Sequence, residues 1–236
     1  MKNVRIMIGL TMALAMGFLS AVALCFRALS SPQAVAAVEA EMRIVLDAGH
    51  GGVDGGVCGK NTGIKESDLN LAITNFLRAE LEEIGFAVTL TRKTEAGLYG
   101  TATKGFKKRD MQRRKEIIEE TNPDLVVSIH QNFYPSRTAR GGQVFYQKTD
   151  DNAKRLAFFI QEKLNGLYEK EGAKKRVAQT GEYFMLQCAA CPSVIVECGF
   201  LSNAKDEKLL TEEGWQKRLA QSIAAGIVGY FAQLLA

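Results

Sequence analysis

Several things this sequence lacks narrow its reading before anything it contains. It has no internal repeat, no low-complexity tract and no linker rich in proline or serine, with four prolines in 236 residues. That argues for one domain rather than a solenoid or a string of modules. It also lacks an excess of one charge. Residues 1–36 hold Lys2, Arg5 and Arg27 and no acid, so 30 basic residues less three leave 27 against 26 acids, a balance of +1. Nucleic-acid-binding domains are usually markedly basic, so no nucleic-acid partner is expected. Cys188-Ala-Ala-Cys191 has the spacing of a zinc knuckle but no second cysteine pair completes it. With Cys25 in the N-terminal segment, four cysteines remain; Cys188 and Cys191 read as buried thiols or a single disulfide, and the redox state of Cys58, Cys188, Cys191 and Cys198 is open. Histidine is scarce as well: the chain has two.

What is present begins with Lys2 and Arg5, followed by an almost unbroken apolar run from Ile6 to Phe26 and then Ser30-Ser31-Pro32-Gln33-Ala34-Val35-Ala36. A basic start, an apolar stretch and an Ala-x-Ala cleavage candidate make an export signal. The run is long enough to span a bilayer uncleaved, so the segment serves as signal peptide or signal anchor and engages the membrane either way. An extracytoplasmic protein is expected, with residues 1–36 as this segment and residues 42–236 as the working domain.

After that segment the patterns of strand and helix alternate, which predicts an α/β domain with a twisted, mostly parallel sheet of about six strands and helices on both faces. Strands are expected at Ile44–Leu46, Phe86–Thr91, Asp124–His130, Gln143–Gln147, Tyr183–Leu186 and Ser193–Val196. Helices are expected at about Ser67 to Ile84, capped by Ser67 and ended by Gly85, at Lys108 to Glu120, at Asp151 to Tyr168 and at Asp206 to Leu235. The basic run from Lys104 to Lys115 reads as a solvated helix face rather than a contact for an anionic polymer.

Both histidines close aliphatic runs: His50 ends Arg43-Ile44-Val45-Leu46-Asp47-Ala48-Gly49-His50, and His130 ends Asp124-Leu125-Val126-Val127-Ser128-Ile129-His130. In open α/β sheets, chemistry collects beyond the carboxyl ends of the strands, so two imidazoles there point to a metal or proton-transfer site. Two glutamates join them. Glu66 falls at a helix start, where it could simply complement the helix dipole. Glu197 follows the buried run Val194-Ile195-Val196, where an unpaired charge is costly and a lysine partner is the plain alternative. Two histidines and one carboxylate suit a catalytic zinc that keeps a position open. A second carboxylate suits the proton transfers of amide hydrolysis. Spacing does not decide which glutamate is ligand and which is base.

These four segments resemble those of the zinc-dependent N-acetylmuramoyl-L-alanine amidases of the amidase-3 family, from about Arg43 to the C-terminus. The stretch around His50 is similar to the family's Asp-Pro-Gly-His-Gly-Gly, with Ala48 where proline is common. Glu66 precedes an Asn-Leu pair as the family's acidic ligand does. Ser128-Ile129-His130-Gln131-Asn132 resembles Ser-Leu-His-Ala-Asn, and Glu197 lies in a match to Val-Glu-x-Gly-Phe-x-Ser-Asn. Thr91-Arg92 and Met111-x-x-Arg114 resemble weaker family features.

The resemblance implies that His50, Glu66 and His130 bind Zn2+, that Glu197 is general base and acid, and that peptidoglycan is the substrate. The departures, Ala48 and Gln131, lie beside the ligands and bear on the substrate pocket more than on the metal. The short connection from His130 to Gly141 leaves no room for the inserted helix that blocks the site in some members, and no wall-binding module is evident. The chain thus looks like the family's sporulation branch, acting between forespore and mother cell, where amidase and deacetylase together form cortex muramic-δ-lactam. An activator protein or that deacetylase would be its protein partners. Two other readings use the same residues: a zinc peptidase cutting within the stem peptide, and a non-catalytic wall-binding protein, against which the intact Glu197 speaks.

Overall fold

The computed structural model describes residues 42–101 and 104–234. The export segment and Cys25 lie outside the described residues. Among those described, no helix is long and apolar enough to cross a membrane. The elements run β1 (Arg43–Ala48), α1 (Glu66–Ile84), β2 (Ala87–Leu90), α2 (Phe106–Thr121), β3 (Leu125–Asn132), β4 (Gln143–Tyr146), α3 (Asp151–Glu169), β5 (Gln179–Thr180), a 3-10 turn (Phe184–Leu186), β6 (Ser193–Phe200), α4 (Ala204–Leu210) and α5 (Glu213–Leu234). The sheet has six strands in the order β2-β1-β3-β6-β4-β5, with β4 antiparallel to β6 and the other pairs parallel. The expected single α/β domain with a mostly parallel sheet is what forms.

The two-residue alternation of strands sorts the side chains onto unequal faces. Ile44 and Leu46, Val127 and Ile129, and Val194 and Val196 join the main core with Leu69, Ile73 and Leu77 of α1, Leu156 and Ile160 of α3, and Ile223 and Ile227 of α5. Each such fully buried side chain contributes about 1.5–3 kcal/mol by leaving water. On the other face Val45, Val126 and Ile195 pack with Ile118 of α2 and with Met185 and Leu186 of the 3-10 turn. By the same alternation Asp47, Ser128, His130 and Glu197 follow on this second face. The thinner layer is therefore the one that carries the ionisable groups.

Three local expectations are corrected. Ser67 does not cap α1: the helix begins at Glu66, and Lys65 at the cap position makes no side-chain bond. Tyr183–Leu186 is not a strand; Phe184–Leu186 forms a 3-10 turn with Tyr183 and Phe184 exposed and Met185 and Leu186 buried, an exposure pattern of two and two rather than one and one. The last helix is two helices. Gln216 Nε2 bonds the Leu210 carbonyl at 2.8 Å, and Trp215 N and Gln216 N bond the Glu212 carbonyl, so α4 stops and α5 starts afresh. Cys58, Cys188, Cys191 and Cys198 are all free thiols, Cys188 and Cys198 buried and Cys58 exposed.

Candidate metal centre

Parallel pairing places Asp47 opposite Ser128 and His130 opposite Glu197, so the ends of β1, β3 and β6 form one edge. His50 lies just past β1 with φ 62, in the left-handed region that residues with a Cβ seldom occupy. Two buried arginines hold this backbone from behind. Arg114 donates through Nη2 to the His50 carbonyl at 2.6 Å and through Nη1 to the Ala48 carbonyl at 2.8 Å. Arg92 donates to the Ala48 and Gly49 carbonyls at 2.8 and 3.0 Å. Arg114 is 1% exposed and pairs with Asp47 and Asp110. Burial alone would push the Asp47 carboxyl up; Arg114 and the Ser128 and Thr91 hydroxyls instead hold it at about 2.

Glu66 is equally fixed. Its Oε2 accepts from Val57 N at 3.0 Å and its Oε1 from Gln131 N at 3.1 Å. The same Oε1 lies 3.3 Å from His50 Nε2 and 2.9 Å from His130 Nδ1. Ligand atoms of His50, Glu66 and His130 all fall within 4.8 Å of one another. The other His50 nitrogen, Nδ1, is 3.2 Å from Asp54, the kind of outer carboxylate that orients a ligating imidazole. Burial would raise the Glu66 carboxyl, but its bonds to the two histidines hold it well below the usual carboxylate range. Burial would lower His50, and Glu66 and Asp54 outweigh it, so its pKa is raised. Space is tight around His130: a Cβ on Gly49 would sit 2.2 Å from its ring.

Glu197 stands beside this cluster without joining it. Its Oε2 is buried with no hydrogen-bond partner among the described residues. Burial pushes its carboxyl up to about 7, against the pull of His130. No lysine pairs with it among the described residues, so the salt-bridge alternative fails. A cavity of about 390 Å³ opens here, lined by His50, His130 and Glu197 together with Tyr99, Phe106, Met111, Tyr183 and Phe184.

All four predicted site residues are brought together. The charge pattern misplaced Arg114: Lys107, Lys108, Arg109 and Arg113 are exposed, as a solvated face requires, but Arg114 turns inward from the same run. The signal that could have found it is its i, i+4 spacing from Asp110, its ion-pair partner. Asp47 and Asp54, which brace the site, were not assigned roles in the sequence. The departures from the family pattern also prove to lie elsewhere than expected. Neither Ala48 nor Gln131 lines the cavity; Gln131 points to the opposite face and donates to Asn70 Oδ1 at 3.2 Å.

A family profile for N-acetylmuramoyl-L-alanine amidases (Amidase_3) matches residues 44–228. The germination-specific N-acetylmuramoyl-L-alanine amidase of Bacillus subtilis is 33% identical over 193 residues, covering 80% of each chain. The uncharacterized protein YqiI of the same organism is 31% identical, over 89% of this chain and 96% of its own. Among solved structures, the CwlD amidase of Clostridioides difficile in complex with the GerS lipoprotein superimposes with TM-score 0.78 at 38% identity, covering 82% of this chain and all of that one. The match runs through β1, α1, β3 and β6, the elements that build the site, and on it the chain belongs to the N-acetylmuramoyl-L-alanine amidase family of hydrolases.

Proposed function

We propose that residues 42–236 form a zinc-dependent catalytic domain that cleaves the amide between N-acetylmuramic acid and L-alanine in peptidoglycan, outside the cytoplasmic membrane, during maturation of the spore cortex. The observation that carries this reading is the convergence of His50, Glu66 and His130 next to a buried Glu197 oxygen with no partner. The donor set fits zinc. Nitrogen, carboxylate and nitrogen is a known catalytic combination, and separations of 2.9 and 3.3 Å suit neighbouring ligands of one ion with bonds of ~2.1 Å. Zinc held by these three would supply a Lewis acid that polarises a carbonyl and lowers the pKa of water to about 7.

The chain's own groups do the rest. Glu197 takes a proton from the attacking water and returns it to the leaving nitrogen of L-alanine, giving a free lactyl carboxyl and a free amine. A carboxylate with one oxygen buried and free of hydrogen bonds is placed to make both transfers. Asp54 holds the His50 ring through Nδ1, and Tyr99, Phe106, Tyr183 and Phe184 give the cavity apolar surface for the substrate.

Assignment to the cortex is supported by the germination-specific relative and by the CwlD structure. The product would then pass to a deacetylase for muramic-δ-lactam formation. A protein activator is supported by the lipoprotein bound to that solved relative. Mass spectrometry of peptidoglycan digested by the protein tests the reading. Free lactyl termini with intact released peptides are expected; peptides cut within the stem would mean a peptidase, and no new ends would mean a wall-binding protein.

A further inference from the structure

Two adjoining cavities lie at the sheet edge that carries His50, His130 and Glu197, and the proposed reaction uses neither. Lys60, Arg137 and Lys205 line one, of about 350 Å³. Lys174, Lys175 and Arg176 line the other, of about 520 Å³, and Arg140 belongs to both. The topology explains the shared edge. Lys60 follows β1, Arg137 follows β3 and Lys205 follows β6, all parallel strands, while residues 174–176 lead into β5 beside β4, which runs antiparallel to β6. Backbone bonds tie these loops together, Lys60 N to the Leu201 carbonyl at 3.4 Å and Leu201 N to the Asn132 carbonyl at 2.9 Å.

The charge here is unbalanced. No acid lines either cavity among the described residues. Arg140 is matched by Asp206 at 2.9 Å and Lys175 by Glu169 at 3.6 Å. Arg176 is tied down by its bonds to the Arg140 carbonyl and to Gln143. Lys60, Arg137, Lys174 and Lys205 are exposed and have no carboxylate partner among the described residues. Without residues 1–36 the chain is only +1 overall, so this is local concentration and not a general excess of base. Like charges gathered at one place repel one another, and a bound polyanion relieves that repulsion.

We propose that this basic cleft is a second substrate surface, which grips carboxylates of peptidoglycan stem peptides other than the one being cut. The proposal rests on the reading of peptidoglycan as substrate. The cleft and the candidate metal centre open at the same edge of the sheet, so one polymer can reach both. Four exposed cations without carboxylate partners, three of them lysines on mobile stems, suit carboxylates spread along a flexible polymer. Holding a neighbouring stem peptide raises the effective concentration of the next scissile bond, which favours repeated cleavage along one strand.

The test is co-sedimentation of the zinc-loaded Glu197→Gln protein with intact sacculi, with and without Lys60→Gln, Arg137→Gln, Lys174→Gln and Lys205→Gln together. Removing the four charges should weaken binding about tenfold or more and flatten its dependence on salt. Lys60→Arg, Lys174→Arg and Lys205→Arg together should preserve it. In an arm that needs no cleft variant, sacculi with amidated carboxylates should bind about tenfold more weakly, while sacculi stripped of phosphate polymers should bind as before. Undiminished binding after charge removal or after amidation overturns the proposal, and loss on phosphate stripping alone assigns the cleft to a phosphate polymer instead. Peptide release by the unaltered protein is scored separately, so failure of the amidase reading is not confused with failure of this one.

Discussion

The left-handed backbone of His50 shows how much of a metal site can be built by residues that never touch a metal. Arg92 and Arg114 donate to three successive carbonyls, those of Ala48, Gly49 and His50, and Asp47 and Asp110 keep Arg114 charged in a dry setting. Arg114→Met would leave two acids without their cation, one of them fully buried. Breaking one side of a buried pair costs roughly 3–5 kcal/mol, and a denaturant melt of the metal-free protein should show a loss of that order; a loss below about 1 kcal/mol would contradict the clamp. This is also where the sequence was least legible. His50, Glu66, His130 and Glu197 could be found because each closes an aliphatic run or opens a helix, a position visible in a one-dimensional pattern, although β3 and β6 run on to Asn132 and Phe200. Arg114 sits within a run of six other cations, whose composition hides it; only its spacing from Asp110 and the Met111-x-x-Arg114 resemblance set it apart.

At the scale of elements, alternation did most of the sorting. One-residue steps along β3 and β6 send Ile129 and Val196 to the main core and His130 and Glu197 to the open face, so the apolar runs located both core and site. The failures share a cause. Apolar spacing ran on across Thr211-Glu212, because Leu209, Leu210, Trp215 and Leu219 remain loosely helical in period, while the break is made by backbone bonds to Glu212 that leave no apolar trace. Tyr183 and Phe184 are apolar residues recruited to a cavity wall, so their hydrophobicity did not mean a strand. The packing of α3 on α5 offers a sharper test. A Cβ on Gly226 would meet the Ile160 backbone, Cα at 2.6 Å and N at 2.9 Å, which no rotamer change can relieve. Gly226→Ala should destabilise by roughly 1–3 kcal/mol, as overpacked cores do. An unchanged denaturation midpoint would mean that the two helices separate more freely than this contact allows.

For the molecule as a whole, two buried carboxyls set opposite responses to pH in the metal-free state. Asp47 titrates at about 2 when folded, below its ordinary 3.8, so its stabilisation of roughly 2 kcal/mol is present above pH 4 and lost as pH falls toward 2. Glu197 titrates at about 7 when folded, above its ordinary 4.5, so the folded form binds more protons between these values and stability declines as pH rises through that window. The Glu197 part of this decline should be on the order of a few kcal/mol and should be absent in Glu197→Gln, leaving the decline that the raised His50 adds as pH rises; thermal melts of both proteins from pH 4 to 8, after chelation, measure it, and parallel curves would contradict the burial of Glu197. The division of labour between the two glutamates is the central claim, and zinc content measured beside peptide release from peptidoglycan, for Glu66→Gln and Glu197→Gln together, tests it most directly. Glu197→Gln should keep a full equivalent of zinc and lose roughly 10²–10⁴-fold in turnover, whereas Glu66→Gln should lose zinc and activity together; a metal-free Glu197→Gln protein, or a zinc-replete and inactive Glu66→Gln protein, would show the roles to be reversed.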